Sequence, residues 1–148
     1  MNWQSFCVLP NLMNNILTVN NSDEIVSAII KILIVDDEPD ICYSLSRTLS
    51  KRAFITATSH TLAEAEQQIK SNLPNILLLD NHLPDGLGID FAKKISLRYP
   101  DIKIIMITAH DSPEDRFKAF SNGIDFFLSK PFTVNQINHI VDVVIDGL

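Results

Sequence analysis

The sequence predicts an α/β fold in which strands alternate with helices around a five-stranded parallel sheet. Two patterns carry this. From Lys31 onward, short apolar runs alternate with amphipathic stretches, which is how a chain of βα units reads. Three of the apolar runs are almost wholly β-branched or leucine-rich, as strands covered on both faces must be. A length of 148 residues is enough for one well-buried core and too short for two ordinary domains.

The elements follow in order. The first strand is expected at Ile32 to Asp36. Pro39 then suits the first helical position, where a missing N–H costs nothing, and Asp40 suits the positive end of the helix dipole. The second strand is expected at Phe54 to Thr58, followed by Thr61 and Glu64 at capping-box spacing. The third runs from Ile76 to Asp80, and Asp85-Gly86 reads as a turn after it. The fourth is Ile102 to Thr108, after which Pro113, Glu114 and Asp115 open a helix that Asn122-Gly123 stops. The fifth is Ile124 to Ser129. Thr133 and Gln136 again have capping-box spacing, and Ile137, Ile140, Val141 and Val144 form one stripe that would lie against the sheet.

Residues 1–30 fall outside this pattern. They are Asn-rich, carry Trp3, Cys7 and Pro10, and hold a second possible start at Met13. Asp23 to Ile30 reads either as a short helix entering the first strand or as part of a disordered leader. The chain therefore divides into an N-terminal extension of unassigned role, 1–30, and one domain, 31–148.

A net charge of -6 with scattered Lys and Arg argues against a nucleic-acid surface, which needs a clustered basic face. Two cysteines, Cys7 and Cys42, without a CxxC support neither a disulfide framework nor a zinc site, and fit a reducing cytoplasmic setting. No apolar run approaches membrane-spanning length. The first positive charge is Lys31, so the basic start of a secretory signal is missing.

In an open parallel sheet, chemistry gathers at the carboxyl ends of the strands. Asp36 and Asp37 close the first strand, Asp80 the third and Thr108 the fourth, and Lys130 follows the fifth. Each alone is an ordinary polar strand end; together at four strand ends they form a site. Three adjacent carboxylates repel one another unless a hard cation joins them, so Asp36, Asp37 and Asp80 imply Mg²⁺ or Mn²⁺. With that charge offset, Asp80 can act as a nucleophile toward phosphorus, and Lys130 and the Thr108 hydroxyl can hold the phosphoryl oxygens.

The stretches ILIVDDEPD, ILLLDNHLPDGLGIDF, IIMITAH and FFLSKPF resemble, motif by motif, the receiver domain of two-component response regulators, from Lys31 to the C-terminus. The resemblance implies a doubly wound, flavodoxin-like sheet in the order 2-1-3-4-5. It also implies Asp80 as phosphoacceptor, Asp36 and Asp37 as metal-site acids, and the main-chain carbonyl of His82 as a further metal ligand. Thr108 and Phe127 become a switch pair that alters the face of the fourth helix, fifth strand and fifth helix. The Lys130-Pro131 bond is expected to be cis. His82 and His110, two positions after Asp80 and Thr108, occupy places that flank the phosphoryl group in receivers. Implied partners are a histidine kinase or phosphotransfer protein upstream and a protein target or fused output domain downstream, with the chain a monomer or a phosphorylation-dependent dimer.

Two other functions were weighed. A Mg²⁺-dependent phosphatase working through aspartyl phosphate would carry DxD after the first strand, where this chain has Asp36-Asp37-Glu38. A flavin or nucleotide carrier would need a phosphate-cradling loop there, and Asp-Asp-Glu-Pro repels phosphate. His60 and His139 read as surface or capping residues, and Cys42 as a small helical packing residue.

Overall fold

The computed structural model describes residues 29–148; the readings made for the extension, including Cys7 and nearly all of Asp23 to Ile30, lie outside them. The elements run β1 (Lys31–Val35), α1 (Pro39–Ser50), β2 (Ile55–Ser59), α2 (Leu62–Ser71), β3 (Ile76–Asp80), a short hairpin β4 (His82–Leu83) and β5 (Gly86–Leu87), α3 (Gly88–Arg98), β6 (Lys103–Thr108), α4 (Pro113–Ser121), β7 (Phe126–Ser129) and α5 (Val134–Asp146). The main sheet has the order β2-β1-β3-β6-β7 and every pair in it is parallel. This is the doubly wound arrangement expected, with the five main strands in the order 2-1-3-4-5.

The pleat sends alternate strand residues to opposite faces, and the core is accordingly double. Leu33, Leu77, Leu79, Ile104 and Met106 pack under α2, α3 and α4 with Ile69, Ile95 and Ala119. Ile32, Ile34, Ile76, Leu78 and Ile105 pack under α1 and α5 with Leu45, Leu49, Ile137 and Val141. Every residue of β3 is buried, whereas the edge strand β7 is only half-buried along its length.

Several boundaries differ from the expected ones. β1 ends at Val35, so Asp36 is the first residue beyond it. Phe54 precedes β2 instead of opening it, because Ala53 turns with φ +62° and the ladder starts at Lys31 and Ile55. Ile124 and Asp125 fall before β7; the Asp125 carboxylate accepts from Ile104 N at 2.8 Å. Thr61 caps α2 through Glu64 N, but the Glu64 carboxylate accepts from His60 N at 2.8 Å, one residue short of a closed box. Asp85 completes that helix start by accepting from Leu62 N and Ala63 N, both at 2.9 Å. The box at Thr133 and Gln136 is complete, and a further complete box joins Ser112 to Asp115 ahead of Pro113.

Two glycines are dictated by geometry. Gly123 ends α4 with φ +84°, a region costly for residues with a Cβ. Gly88 begins α3 directly over the end of β3, where its N donates to Asn81 O at 2.8 Å. A Cβ at Gly88 would lie 2.2 Å from the carbonyl oxygen of Asp80 and 3.0 Å from Asn81 Cα. Since backbone cannot step aside as a side chain can, Gly88→Ala is expected to lower stability by about 1–3 kcal/mol in urea denaturation. A wild-type midpoint would show that the β3–α3 junction yields freely.

Candidate phosphoryl-transfer site

The carboxyl edge of the sheet gathers the residues predicted from sequence. Asp36, Asp80 and Thr108 are buried, and with Ser59 they make up the buried polar residues of the described chain. Asp37 is exposed. Carboxylate oxygens of Asp36, Asp37 and Asp80 all lie within 4.8 Å of one another. Three anionic oxygen donors with this spacing match the hard-donor chemistry of Mg²⁺ or Mn²⁺, so these residues fit the ion that the fold implies.

Lys130 reaches this group from the far side. Its Nζ lies 2.8 Å from Asp36 Oδ2, 3.3 Å from Glu38 Oε1 and 3.4 Å from Asp80 Oδ1. The backbone positions it: Lys130 N donates to Thr108 O at 2.8 Å, and the Lys130-Pro131 peptide is cis. Burial alone would lower the Lys130 pKa, but the hydrogen bond to Asp36 and the charge of Asp80 outweigh it and hold it above the ordinary value. Asp80 moves upward instead. Burial is the largest cause, only partly opposed by Lys130, and the Asp36 charge adds to it.

The main chain of His82 lies against Asp80, its N–H donating to Asp80 Oδ2 at 3.1 Å. His110 N donates to Thr108 Oγ1 at 3.3 Å. Phe127 is half-buried at the margin of the core face that holds α4. The Arg116 guanidinium covers its ring at 4.9 Å. Arg116 pairs with Asp111, which also accepts from the Ser129 hydroxyl; the Arg116 contact pulls the Asp111 carboxyl down to about 2. A cavity of about 100 Å³ opens between Thr108 and Phe127, lined also by Met106, Ile89 and Asn81.

Sequence reasoning missed the supporting shell. Glu38 shares Lys130 and its N–H fixes Asp36 Oδ1 at 2.9 Å. His60, read as a surface or capping residue, is half-buried with Nδ1 2.9 Å from Asp36 O. The Cys42 thiol, packed in α1 as expected, donates to the same carbonyl at 3.3 Å, and burial pushes it up to about 11. Glu38 was within reach of sequence reading, as an acid next to two others. The His60 contact joins residues 24 positions apart, and the Arg116 contacts depend on how α4 packs against β7.

Comparison with known proteins shows the family and the fold. The sequence model of the response regulator receiver domain matches residues 32–142. The response regulator protein PilR of Pseudomonas aeruginosa is 35% identical over 111 residues, which are 75% of this chain and 25% of PilR. Response regulator MprA of Mycobacterium ulcerans is 32% identical over 108 residues, 73% of this chain and 47% of MprA. The chain thus spans half or less of these two relatives. Among solved structures, a CheY-like receiver domain protein from Methanospirillum hungatei superposes with a TM-score of 0.78 at 27% identity, covering 81% of this chain and 96% of that one. The beryllofluoride-activated NtrC4 receiver domain, a dimer, gives 0.75 at 36% identity over 79% and 97% of the two chains.

Proposed function

Because this chain belongs to the response regulator receiver domain family, we propose that it is a phosphoacceptor switch of a two-component system. In this reading a histidine kinase or phosphotransfer protein hands a phosphoryl group to Asp80 in a Mg²⁺-dependent step. The observation that carries it is the convergence of Lys130 Nζ on Asp36 and Asp80, at 2.8 and 3.4 Å, beside three carboxylates grouped within 4.8 Å.

Asp36, Asp37, Asp80 and the main-chain carbonyl of His82 would hold the ion, with Mn²⁺ as an alternative to Mg²⁺. Bound there, it supplies positive charge that offsets the carboxylates and the incoming phosphate. The protein does the rest. An oxygen of ionised Asp80 attacks phosphorus while the bond from phosphorus to the donor histidine nitrogen breaks, leaving an acyl phosphate on Asp80 and the histidine free. The Lys130 ammonium, already turned toward Asp80 Oδ1, and the Thr108 hydroxyl donate to the equatorial oxygens. Thr108 must give up the His110 N–H to do so. The cavity beside it then offers Phe127 a place to move inward, away from Arg116, and the surface of α4, β7 and α5 changes. Phe117 and Phe120 stand exposed on α4, which suits a face read by a protein target, by a second copy, or by an output domain of the kind a longer regulator carries. This activity belongs to the cytoplasm and uses no nucleic-acid contact by the domain itself.

The test is intact-mass analysis after incubation with acetyl phosphate and Mg²⁺. One phosphoryl group is expected on the protein, absent when the metal is chelated. A folded protein that takes up none, and that also forms no beryllofluoride complex, would exclude the reading.

A further inference from the structure

The rings of His82 and His110 are neighbours, with centroids 5.0 Å apart and planes tilted by 58°. They come from different elements: His82 opens the β4–β5 hairpin after β3, and His110 lies in the loop between β6 and α4. Both residues are exposed, and both line the cavity beside Thr108. Among the described residues, neither ring engages a side chain or carbonyl in a hydrogen bond; each histidine donates only its main-chain N–H. His60, by contrast, spends its ring nitrogen on Asp36 O. Two imidazoles with unspent nitrogens, exposed and adjacent, are the donor set of a borderline transition ion. Each Zn–N bond is about 2.0–2.1 Å, so two imidazoles on one tetrahedral zinc hold their centroids roughly 5 Å apart. The observed centroid separation of 5.0 Å matches that spacing.

We propose that the His82 and His110 side chains form a second metal site, for Zn²⁺ or a similar ion such as Cu²⁺ or Ni²⁺, with water completing the shell. It is distinct from the carboxylate site in donor type, nitrogen instead of oxygen, and so in the ions it selects. Occupancy would tie the start of the β4–β5 hairpin to the loop that follows Thr108. Since His110 N holds the Thr108 hydroxyl at 3.3 Å, fixing that loop keeps the hydroxyl from turning toward Asp80, and phosphoryl uptake slows. The binding claim stands by itself; the effect on uptake rests on the phosphoacceptor reading above.

The experiment is calorimetric titration of the full chain with Zn²⁺ in excess Mg²⁺, which saturates the carboxylates first. One zinc per chain is expected for the wild type, with affinity falling about tenfold or more in His110→Ala and in His82→Ala, each of which removes one of two nitrogen ligands. As a check that needs no variant, Ni²⁺ should broaden the ring-proton NMR signals of both histidines together and leave His139 sharp. Zinc binding equally tight in both variants, or displaced stoichiometrically by Mg²⁺, overturns the site by locating the ion at the carboxylates. With acetyl phosphate, zinc should slow uptake several-fold in the wild type and much less in His110→Ala. Binding without slowing overturns the restraint on Thr108 alone, and absence of uptake without zinc is a failure of the phosphoacceptor reading, not of the site.

Discussion

Asp80→Asn is expected to abolish the phosphoryl adduct and, in the absence of metal, to raise the melting temperature. The first effect follows from the loss of the nucleophile, since an amide oxygen cannot form the acyl phosphate. The second follows from the direction of the Asp80 pKa, raised chiefly by burial and further by Asp36. A carboxyl group with a folded-state pKa above its unfolded one binds a proton more tightly when folded, so its ionisation opposes folding. That opposition is absent below the unfolded value of 3.8 and grows as pH rises from there through the higher folded value. Asn keeps the shape without the charge. Thermal melts at pH 7 should therefore favour the mutant by a few degrees, the gap should close toward pH 4, and Mg²⁺ should stabilise the wild type more than the mutant. Full labelling of Asp80→Asn would refute the site, and a mutant less stable than wild type in EDTA would refute the electrostatic account.

Lys130→Met should slow phosphoryl uptake about 10²-fold, the usual consequence of removing one donor from a developing oxyanion. Stability changes with it, because Lys130 lies between two buried carboxylates, 2.8 Å from Asp36 and 3.4 Å from Asp80. Removing one partner from a buried ionic group costs several kcal/mol when nothing replaces it. Here the open face admits water and ions, and a loss of about 1–3 kcal/mol at neutral pH is expected. Millimolar Mg²⁺ should recover most of it, as a second cation for the same anions. In the wild type the Lys130 contribution is fully present below the unfolded pKa of 10.5 and fades only as pH rises through the higher folded value. Urea denaturation with and without Mg²⁺, alongside single-exponential uptake rates, checks both parts. An unchanged rate would mean that Lys130 serves folding and not phosphoryl transfer.

The sheet was legible because its physics is local. A run such as Ile76 to Asp80, buried throughout, has few other uses in a chain with helical periodicity on either side. The candidate site was legible for a related reason: in a parallel sheet all strand ends of one polarity share an edge, so Asp36, Asp80, Thr108 and Lys130 could be brought together from sequence alone. What escaped were contacts that no periodicity reports. The β4–β5 hairpin is two residues per strand, below the length at which alternation registers. Asp85 read only as half of a turn, yet its carboxylate caps α2. Glu64 was assigned to the N–H of Thr61 and instead takes that of His60, because spacing names the helix start without fixing the rotamer. Phe127 could be named only through its resemblance to a switch residue; the Arg116 ring contact and the adjoining cavity depend on how α4 packs.

The Lys130–Asp36 contact joins residues 94 positions apart, and it has a meaning for the order in which the chain matures. During synthesis the N-terminal strands leave the ribosome long before β7, and parallel pairings of wide sequence separation form late. The first carboxylates are then without their ammonium partner until Lys130 reaches Asp36. By the phosphoacceptor reading, a chain whose β7 is not yet paired with β6 lacks Lys130 at the carboxylates and is expected to be labelled much more slowly. On that reading, fast acetyl phosphate labelling is expected to appear during refolding only as the last strand pairs, which pulse labelling would check.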